Sequence, residues 1–594
     1  MIVGIDLGTS TSEIAVLKNG APVLIREIAG SSYGFLPSVV AIGVGGELQV
    51  GAGATSVLSV RPGASVAEVK RLMGSDNRIQ LGAESYTPQE ISAIILRHLK
   101  EQAEAALGDS ITEAVISVPA YFTAVQRRAT HDAAELAGLS VRRLVNEPTA
   151  AALAYGIERP DVEERVLVYD LGGGTLDVTL LELSEGVLDV IASTGDSSLG
   201  GKDFDERLMR FLAEKCEDAT GIDPTRAPRT NARLRAGARR AKEELSSVDR
   251  SMVVLENLGV QPDGSLIDWE YALTRREFEQ QIKDLVASTT VQLDEALAQR
   301  KLRPAEIDTV LMVGGSSRVP LVRTCISQYF EGRVLRSEVN PDEAVALGAA
   351  ILAGIEDNKI HSAKVVITDV SPWTLGVSVV VDRDGETIEG VFSPLIQKQT
   401  TIPRTATKHY RTIHDWQDSI RVEVYQGDAP MCAQNIKVGE FELAQLERAP
   451  AGADIEISFS YNLNGELEVV ARALGRARRV LLQPSANHLT DSEKQTARDR
   501  LDRRWTARAN GSGQSVNVSP DTGSSQARAR ATPLYAKVAE LLAKAENQRP
   551  SLSGAPRARL DVLLLEMHAA LVANDERAVD TVEHALTNLL FELI

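Results

Sequence analysis

Cysteine is scarce in this chain of 594 residues, which has three in total. Cys216, Cys325 and Cys432 lie far apart, and no Cys-x-x-Cys pair or His/Cys cluster accompanies them. A disulfide framework needs paired cysteines, and a structural zinc site needs closely spaced ligands. The sequence therefore excludes both as the basis of the fold and favours a reducing compartment.

Long hydrophobic runs and an excess of basic charge are also missing. No apolar run approaches the roughly 18 residues of a membrane-spanning helix, and the chain opens on a strand-like segment without a secretory leader pattern. The net charge is −18, whereas nucleic-acid binding needs a basic face. We expect a cytoplasmic protein that binds neither membranes nor nucleic acid.

The length exceeds what one hydrophobic core supports, so several domains are expected. Residues 1–360 alternate strand-like and helix-like blocks, whereas residues 369–483 follow the two-residue period of β-structure. Ile420, Val422 and Val424, for example, occupy one face of a predicted strand. The sequence thus predicts an α/β region followed by a β-rich one.

A third region begins near residue 489. Thr490 and Glu493 have the spacing of a capping box, which predicts a helix N-terminus. Residues 507–531 are rich in Gly, Ser and Asn and predict a flexible insert. Amphipathic helices are predicted after it.

The segment "DLGGGTLD", residues 170–177, lies between two apolar strands. Glycine is costly to order, so three in a row indicate a sharp turn or a close approach by a ligand. Backbone amides in such a turn bind phosphate oxygens. Asp170 and Asp177 would repel bare phosphate but would hold Mg²⁺. A plain hairpin with surface acids would give the same pattern.

A second copy of this pattern occurs at the N-terminus, where "GIDLGTSTS" places Asp6 at the end of an apolar strand. Two such hairpins predict two similar halves with a nucleotide held between them. Neither hairpin has the G-x-x-x-x-G-K-[ST] or G-x-G-x-x-G pattern. Farther on, "MVGGSSRVP" predicts a strand, a glycine turn and a helix N-terminus, which also suits a phosphorylated ligand.

Eight segments in order resemble the seventy-kilodalton heat-shock chaperones, the DnaK family. They are "GIDLGTSTS", "VKRLMG", "VISVPAYF", "LVNEPTAAALAYG", "YDLGGGTLDV", "LGGKDFDERL", "VGGSSRVPLV" and "NPDEAVALGAAI". Details such as "MGSDNRIQLG" and "GVFSPLIQKQTTIP" are most similar to the HscC-type branch.

The resemblance implies a multidomain fold: an α/β actin-like ATPase domain with duplicated halves, a β-sandwich peptide-binding domain and a small α-helical lid. The implied boundaries are 1–361 for the ATPase domain, 362–368 for the linker, 369–486 for the sandwich and 487–594 for the lid. The implied activity is slow ATP hydrolysis that controls peptide affinity. ATP or ADP, Mg²⁺ and K⁺ are the implied cofactors.

The resemblance also assigns roles around the nucleotide. The implied catalytic residues are Lys70, Glu147, Asp170, Thr175 and Asp177. Metal binding, mostly through water, falls to Asp6, Asp170 and Asp177. The implied nucleotide-binding residues are Asp6, Gly8, Thr9, Ser10, Gly172, Gly173, Gly174, Gly200, Gly201, Lys242, Ser246, Gly314, Gly315, Ser316, Arg318 and Asp342.

Two further sets match positions outside the nucleotide site. The residues implied in coupling between domains are Pro119, Arg127, Arg143, Val365, Val366, Ile367 and Asp369. The residues implied in peptide binding are Val377, Val380, Tyr410, Ile413, Ile420 and Val422, with Val380 and Ile413 as the pair that arches over the peptide. Extended client peptides and a J-domain co-chaperone are the implied partners, and an exchange factor is left open.

The sequence departs from the family pattern at three places. Arg239 stands where the family has a glutamate that bonds the ribose, so we expect faster spontaneous nucleotide exchange. Ile413 is bulkier than the usual arch residue and predicts a narrower peptide set. The short lid with its insert puts stable trapping of clients in question.

Three other functions are compatible with parts of the sequence: a small-molecule kinase, an actin-like filament subunit, and a regulator that binds one dedicated partner. A kinase or a filament subunit has no need for the β-rich region after residue 369. The regulator differs from a general chaperone in being indifferent to most peptides.

Overall fold

The computed structural model describes most of the first five hundred residues of the chain. The described residues are 1–26, 35–43, 46–156, 162–184, 187–260, 265–332, 335–336, 340–357, 359, 366–383, 386–482 and 489–513, together with Leu560, Leu563 and Leu586. The chain divides into two compact units, Met1–Arg508 and Ala509–Ile594. Most predictions for the C-terminal helices therefore lie outside the described residues.

The first part of the chain forms a sheet around the hairpin that carries Asp6. Its elements are β1 (Ile2–Leu7), β2 (Thr11–Lys18), β3 (Ala21–Leu24), β4 (Leu36–Pro37), β5 (Val39–Ile42), β6 (Leu48–Val50), α1 (Ala52–Val60), β7 (Ser65–Ala67), β8 (Ile79–Leu81), β9 (Glu84–Tyr86), α2 (Pro88–Leu107), β10 (Glu113–Val118), α3 (Ala124–Leu136) and β11 (Ser140–Asn146). The strand order is β11-β10-β1-β2-β3, with β4 beside β2. β1 is parallel to β10 and antiparallel to β2.

The second part repeats this arrangement around the hairpin that carries Asp170. Its elements are α4 (Glu147–Gly156), β12 (Glu164–Leu171), β13 (Leu176–Ser184), β14 (Val187–Asp196), α5 (Gly201–Thr220), α6 (Pro228–Glu244), β15 (Arg250–Val260), β16 (Leu266–Thr274), α7 (Arg275–Arg300), β17 (Thr309–Val313), α8 (Pro320–Tyr329), β18 (Leu335–Arg336), α9 (Ala344–Glu356) and β19 (Val366–Ile367). The order is β18-β17-β12-β13-β14-β19. β12 is parallel to β17 and antiparallel to β13, so the strand directions around the two hairpins are the same, as the prediction of two similar halves requires.

Two helices rich in small residues, α4 and α9, pack against the first sheet and each other. A Cβ atom on Gly348 would lie 1.8 Å from the Ala150 carbonyl oxygen, and one on Gly4 would lie 2.1 Å from the Ala350 nitrogen. Only glycine allows backbones to approach this closely. The small residues of α4 and α9 therefore allow the two helices to pack closely.

The following strands form two facing four-stranded sheets, and the two shortest strands pair with each other in a separate sheet. They are β20 (Asp369–Val370), β21 (Leu375–Arg383), β22 (Glu386–Ile396), β23 (Thr401–Ile402), β24 (Arg404–Arg411), β25 (Ser419–Gln426), β26 (Ile436–Ala444), β27 (Asp454–Tyr461), β28 (Leu467–Ala473) and β29 (Arg476–Leu482). One sheet has order β22-β21-β25-β26 and the other β24-β27-β28-β29. Their inward side chains, among them Ile420, Val422 and Phe459, share one core. The predicted alternation on β25 is confirmed.

Helix α10 (Asp491–Gly513) begins with the predicted capping box. The Thr490 backbone amide donates to Glu493 Oε2 at 2.9 Å, and the Glu493 amide donates to Thr490 Oγ1 at 3.3 Å. The helix continues through Gly513 and so includes the start of the flexible insert predicted at 507–531. The rest of the predicted insert lies outside the described residues. Ala507, Arg508 and Ala509 are good helix formers, whereas Gly511 and Gly513 are poor ones, so helix propensity explains only the first part of the continuation. None of the described helices is long and apolar enough to cross a membrane.

Candidate functional site

The two glycine-rich turns contact each other where the first part of the chain, the first lobe, meets the second part, the second lobe. We call the region around these turns the cleft. A Cβ atom on Gly173 would lie 2.2 Å from Ser10 Oγ, and one on Gly174 would lie 2.9 Å from Thr9 Oγ1. The turn after β1 and the turn after β12 are therefore in contact. Bulkier residues in the second turn would separate the hairpins, which explains why glycine occupies it.

A lysine and four carboxylates converge beside these turns. Asp6 ends β1, Asp170 ends β12, and Asp177 is the cross-strand partner of Asp170. Lys70 Nζ donates to Glu147 Oε1 at the start of α4. All but Asp6 are buried, and Ser117 Oγ donates to Asp6 Oδ1 at 2.5 Å.

The electrostatics of this cluster favour a bound cation. Burial raises the pKa of Asp170 well above its ordinary value, and the neighbouring Glu147, Asp177 and Asp6 raise it further. Burial and Glu147 raise the pKa of Asp177 to about 7. Both carboxylate oxygens of Asp177 are buried without a well-aligned hydrogen-bond donor among the described residues. A hard divalent cation such as Mg²⁺ fits this donor set.

Lys70 stays protonated in this setting. Burial acts to lower the pKa of its ammonium group, but the charges of Glu147, Asp6 and Asp170 outweigh it and raise the pKa. The Lys70 side chain is 7% exposed. A fixed buried cation of this kind can stabilise negative charge that develops on a phosphoryl group.

The second lobe supplies a further cluster next to the Gly172–Thr175 turn. Ser316 Oγ donates to the Gly172 carbonyl at 2.9 Å, and Lys242 Nζ donates to the Gly201 carbonyl at 3.1 Å. A Cβ on Gly200 would lie 2.6 Å from the Gly174 nitrogen, so the start of α5 contacts the same turn.

The "VGGSSR" segment lies directly behind Asp170. Gly314 has φ +78°, and a Cβ there would lie 2.7 Å from Asp170 Oδ1. Arg318 donates to Asp342 Oδ2 at 2.7 Å, while Ser246 lies half-buried just beyond α6. These residues, predicted to contact the nucleoside, thus border the cleft on the second-lobe side.

Arg239 is engaged by acids of its own lobe and the facing one. Its Nε lies 3.0 Å from Glu243 Oε1, one helical turn along α6. Burial acts to lower the pKa of Arg239, but Glu243, Asp205 and Glu68 outweigh it. Arg239 therefore forms a surface ion pair on α6, with the two side chains 39% and 60% exposed.

Sequence reasoning missed several residues of the cleft. Arg71, next to Lys70, donates to the Gly174 carbonyl at 2.7 Å and to Asp203 Oδ2 at 2.7 Å, and so joins the two lobes. Glu13 is the cross-strand partner of Asp6 and is 4% exposed; burial, followed by Asp6, raises its pKa to about 9. The adjacency of Arg71 to Lys70 was a usable signal, whereas Glu13 looks like an ordinary strand residue.

Several of the residues predicted to couple the domains form one buried network. Arg127 Nη2 donates to Asn146 Oδ1 at 2.5 Å, and Asn146 Nδ2 donates to Asp369 Oδ2 at 2.8 Å. Thr149 Oγ1 donates to the same Asp369 oxygen at 3.0 Å. Asn146 and Thr149 were not predicted to take part. Asp369 thus links the start of the β-rich region to helix α3.

The remaining coupling residues lie around this network. Val366 and Ile367 form β19, which pairs with β14 of the second lobe. Pro119 is buried after β10, and Arg143 Nη1 lies 3.4 Å from Glu356 Oε1 on α9. Val365 lies outside the described residues.

The sandwich contacts the α/β part at several places, three of which lie near α3 and the carboxylate cluster. Gln426 accepts a hydrogen bond from the Ala124 amide at 3.1 Å, and a Cβ on Gly465 would lie 2.8 Å from Arg127 Cδ. The rings of Trp373 and Tyr121 meet edge to face at 5.2 Å between centroids. The Tyr121 backbone lies beside Asp177, so this contact reaches the carboxylate cluster.

The residues predicted to bind peptide divide into two groups. Val377, Ile420 and Val422 are buried in the sandwich core, and Tyr410 packs against it with its hydroxyl 3.0 Å from Ser393 Oγ. The proposed arch residues Val380 and Ile413 are 36% and 52% exposed.

The comparisons with known proteins agree with this geometry. A family model described as Hsp70 protein matches residues 2–81 and 75–548. Proteins named chaperone protein DnaK from Thermotoga petrophila and Thermotoga maritima are each 43% identical over 493 residues, covering 82% of this chain and 80% of theirs. The protein of that name from Thermotoga neapolitana is 42% identical over 498 residues, covering 83% of this chain and 81% of its own. The chain therefore belongs to the Hsp70 family and is of the DnaK type within it.

Proposed function

We propose that this protein is an ATP-dependent chaperone in which hydrolysis in the cleft controls the binding of extended apolar peptides by the sandwich. The observation that carries the proposal is the buried cluster of Lys70, Glu147, Asp170 and Asp177 at two facing glycine turns. This cluster is joined through Tyr121 and Asp369 to the sandwich. Family membership supports the same activity.

The cleft residues would have different roles in ATP hydrolysis. Asp6, Asp170 and Asp177 would hold Mg²⁺, mostly through water, and Mg²⁺ bound there neutralises phosphate charge. The amides of the two glycine turns would bind phosphate oxygens. Lys70, fixed by Glu147, positions the attacking water and stabilises the developing charge. Thr175, at the end of the second turn, would complete the phosphate contacts.

Contacts between the α/β part and the sandwich would couple nucleotide binding to peptide binding. Movement of the Ala120–Tyr121 backbone beside Asp177 is transmitted to Trp373, and movement of α3 is transmitted through Arg127 and Asn146 to Asp369. Peptide and nucleotide must then affect each other's affinity by the same factor. Val377, Tyr410, Ile420 and Val422 would line the peptide channel, and Val380 and Ile413 would close over it.

The finer assignments belong to this proposal. They comprise an actin-like ATPase domain at 1–361, a linker at 362–368, a sandwich at 369–486 and a helical lid at 487–594. The proposal also includes a J-domain co-chaperone, K⁺ as a further cofactor, a cytoplasmic location and membership of the HscC-like branch. Family membership favours the chaperone over the kinase and the filament subunit; the single-partner regulator is an outcome of the test below.

The test is steady-state ATP hydrolysis with and without a panel of extended apolar peptides. We expect slow hydrolysis that peptides stimulate. Lys70→Ala should lower the rate by roughly 100-fold, because a fixed charge at the transition state is lost. Lys18→Ala, on an exposed lysine at the end of β2, is the matched control and should leave the rate unchanged.

Two results would contradict the proposal in different ways. An unchanged rate in Lys70→Ala would contradict the assigned cleft chemistry. Hydrolysis that responds to no peptide, with Lys70→Ala inactive, would leave the ATPase in place and point to the regulator instead.

A further inference from the structure

Helix α10 is attached to α3 through an ionic cluster that no family motif contains. Lys494 Nζ lies 2.7 Å from Asp132 Oδ1 and 2.6 Å from Glu135 Oε2. Asp132 is fully buried and Lys494 is 8% exposed. Two carboxylates of α3 therefore share the ammonium group of α10.

The rest of this contact combines an apolar centre, formed by Ala497, Leu501 and Trp505, with charged side chains around it. Arg500 pairs with Glu90 and lies 5.0 Å from the Tyr86 ring centroid. Arg504 Nη2 lies 2.9 Å from Glu84 Oε1. Interfaces between domains that separate and re-form are more polar than permanent ones. The charged pairs at this contact are the part of it that a change in local charge would affect.

His131 lies at the centre of this junction. Its Nδ1 is 3.4 Å from Glu135 Oε1, and its ring borders two cavities, one beside α10 and one between α3 and the sandwich. The charged groups that face it or line these cavities are Arg127, Arg128, Asp132 and Glu135 on α3, Lys494, Asp491 and Arg498 on α10, and Glu466 on the sandwich.

We propose that His131 makes the attachment of α10 sensitive to pH, with protonation of its imidazole favouring release of the helix. The proton would add a positive charge beside Lys494 and Arg128 in a site where their charges already balance Asp132 and Glu135. Imidazole is the side chain whose ordinary titration range covers the physiological interval.

The direction of this pH effect follows from the difference in the pKa of His131 between the protein with α10 attached and the protein with α10 released. With α10 attached, burial is the largest influence and lowers the pKa of His131, and Arg128 and Lys494 lower it further. With α10 released, Lys494 and part of the burial are gone, while Asp132 and Glu135 remain and favour the imidazolium. Attachment is therefore strongest above the pKa of the released state and weakens as the pH falls through it.

The test uses Trp505, which is 6% exposed on α10 and lies 4.8 Å from the Arg97 guanidinium. In a protein with Trp269, Trp373 and Trp416 replaced by Phe, emission reports on this helix alone. Between about pH 8 and about pH 5.5, which spans the His range, we expect a red shift as α10 leaves. His131→Asn should remove the main part of the shift, and His414→Asn, an exposed histidine of the sandwich, should not.

Deuterium uptake by residues 491–505 in the unsubstituted protein gives a second measurement that does not depend on the tryptophan replacements. Uptake should rise at low pH, after correction for intrinsic exchange, and the rise should be several-fold smaller in His131→Asn. The same pH dependence in His131→Asn and in the parent protein would overturn the proposal. Neither readout needs ATP hydrolysis, so the proposal does not fail with the proposed chaperone activity.

Discussion

At the scale of single residues, Arg239 is the side chain whose charge most changes what the cleft can do. Where the family pattern has an acceptor for the ribose, this chain has a guanidinium paired with Glu243. A guanidinium has no acceptor atom. On the proposed placement of the nucleotide, the ribose would lack a hydrogen bond to a charged group, which is worth about 1.5–3 kcal/mol.

Exchanging the two charges should slow nucleotide release. In Arg239→Glu with Glu243→Arg, the ion pair is kept but the acceptor takes the position of Arg239. We expect release of a fluorescent ADP to slow by roughly tenfold, as about 1.4 kcal/mol implies. Stopped-flow displacement measures the rate.

The neighbouring pair on α6 provides the control for this exchange. Arg240 Nε lies 3.7 Å from Glu244 Oε1, so Arg240→Glu with Glu244→Arg makes the same change one residue along. This control should release ADP as the parent protein does. Equal release rates in all three proteins would show that Arg239 does not set the exchange rate.

At the scale of elements, the hairpin between β27 and β28 packs against α3 and so attaches the sandwich to the α/β part. Gly465 at its tip has φ +77°, and a Cβ there would lie 2.8 Å from Arg127 Cδ. Arg127 cannot move aside freely, because it is buried and donates to Asn146 and to the Ala120 carbonyl. The hairpin and the coupling network thus occupy one packed site.

Gly465→Ala should weaken this attachment. The methyl group meets Arg127 and forces the hairpin away, so ATP should accelerate peptide release several-fold less than in the parent protein. Gly452→Ala is matched to it: φ is +91° there and nothing lies within 4 Å of a Cβ. Both variants carry the strain of a left-handed backbone, about 1–2 kcal/mol. Equal peptide release rates in the two variants would argue against the contact.

The linker strand β19 offers a second contrast at this scale. Ile367 is half-buried and packs against a hydrophobic cluster, whereas Val366 is 55% exposed. Ile367→Asp should release β19 from β14 and abolish peptide stimulation of hydrolysis, since burial of an isoleucine is worth about 2 kcal/mol. Val366→Asp should keep most of the stimulation. Loss of stimulation in both variants would mean that exposure does not decide the role of this strand.

At the scale of the whole molecule, the attachment of α10 should depend on ionic strength. Its contacts with the α/β part include the pairs of Lys494, Arg500 and Arg504 with acids. Raising the salt from about 0.1 M to about 1 M shortens the screening length from about 10 Å to about 3 Å. We expect the single-tryptophan protein with Trp505 to shift to the red.

A protein that keeps only Trp269 tests whether this shift belongs to the interface. Trp269 is 5% exposed within the core of the second lobe, so its emission should not change with salt. A shift in both proteins would indicate general loosening of the fold rather than release of α10.

The sequence by itself determined the features that repeat over short distances. The two hairpins, the alternation of β25 and the capping box of α10 all follow from local period and turn residues, and each is found where it was predicted. The α/β and β-rich regions follow from the same periods. These patterns predict the structure correctly because residues close together in the sequence specify a strand or a helix cap.

Only the tertiary structure decided which distant side chains act on each other. It brought Lys70 to Glu147, buried Asp369 against Asn146 and Thr149, and placed Lys494 between Asp132 and Glu135 beside His131. No periodicity encodes these pairs, because their partners lie on different elements. The effect of a charge depends on its burial and its neighbours, and both are fixed only when the elements pack.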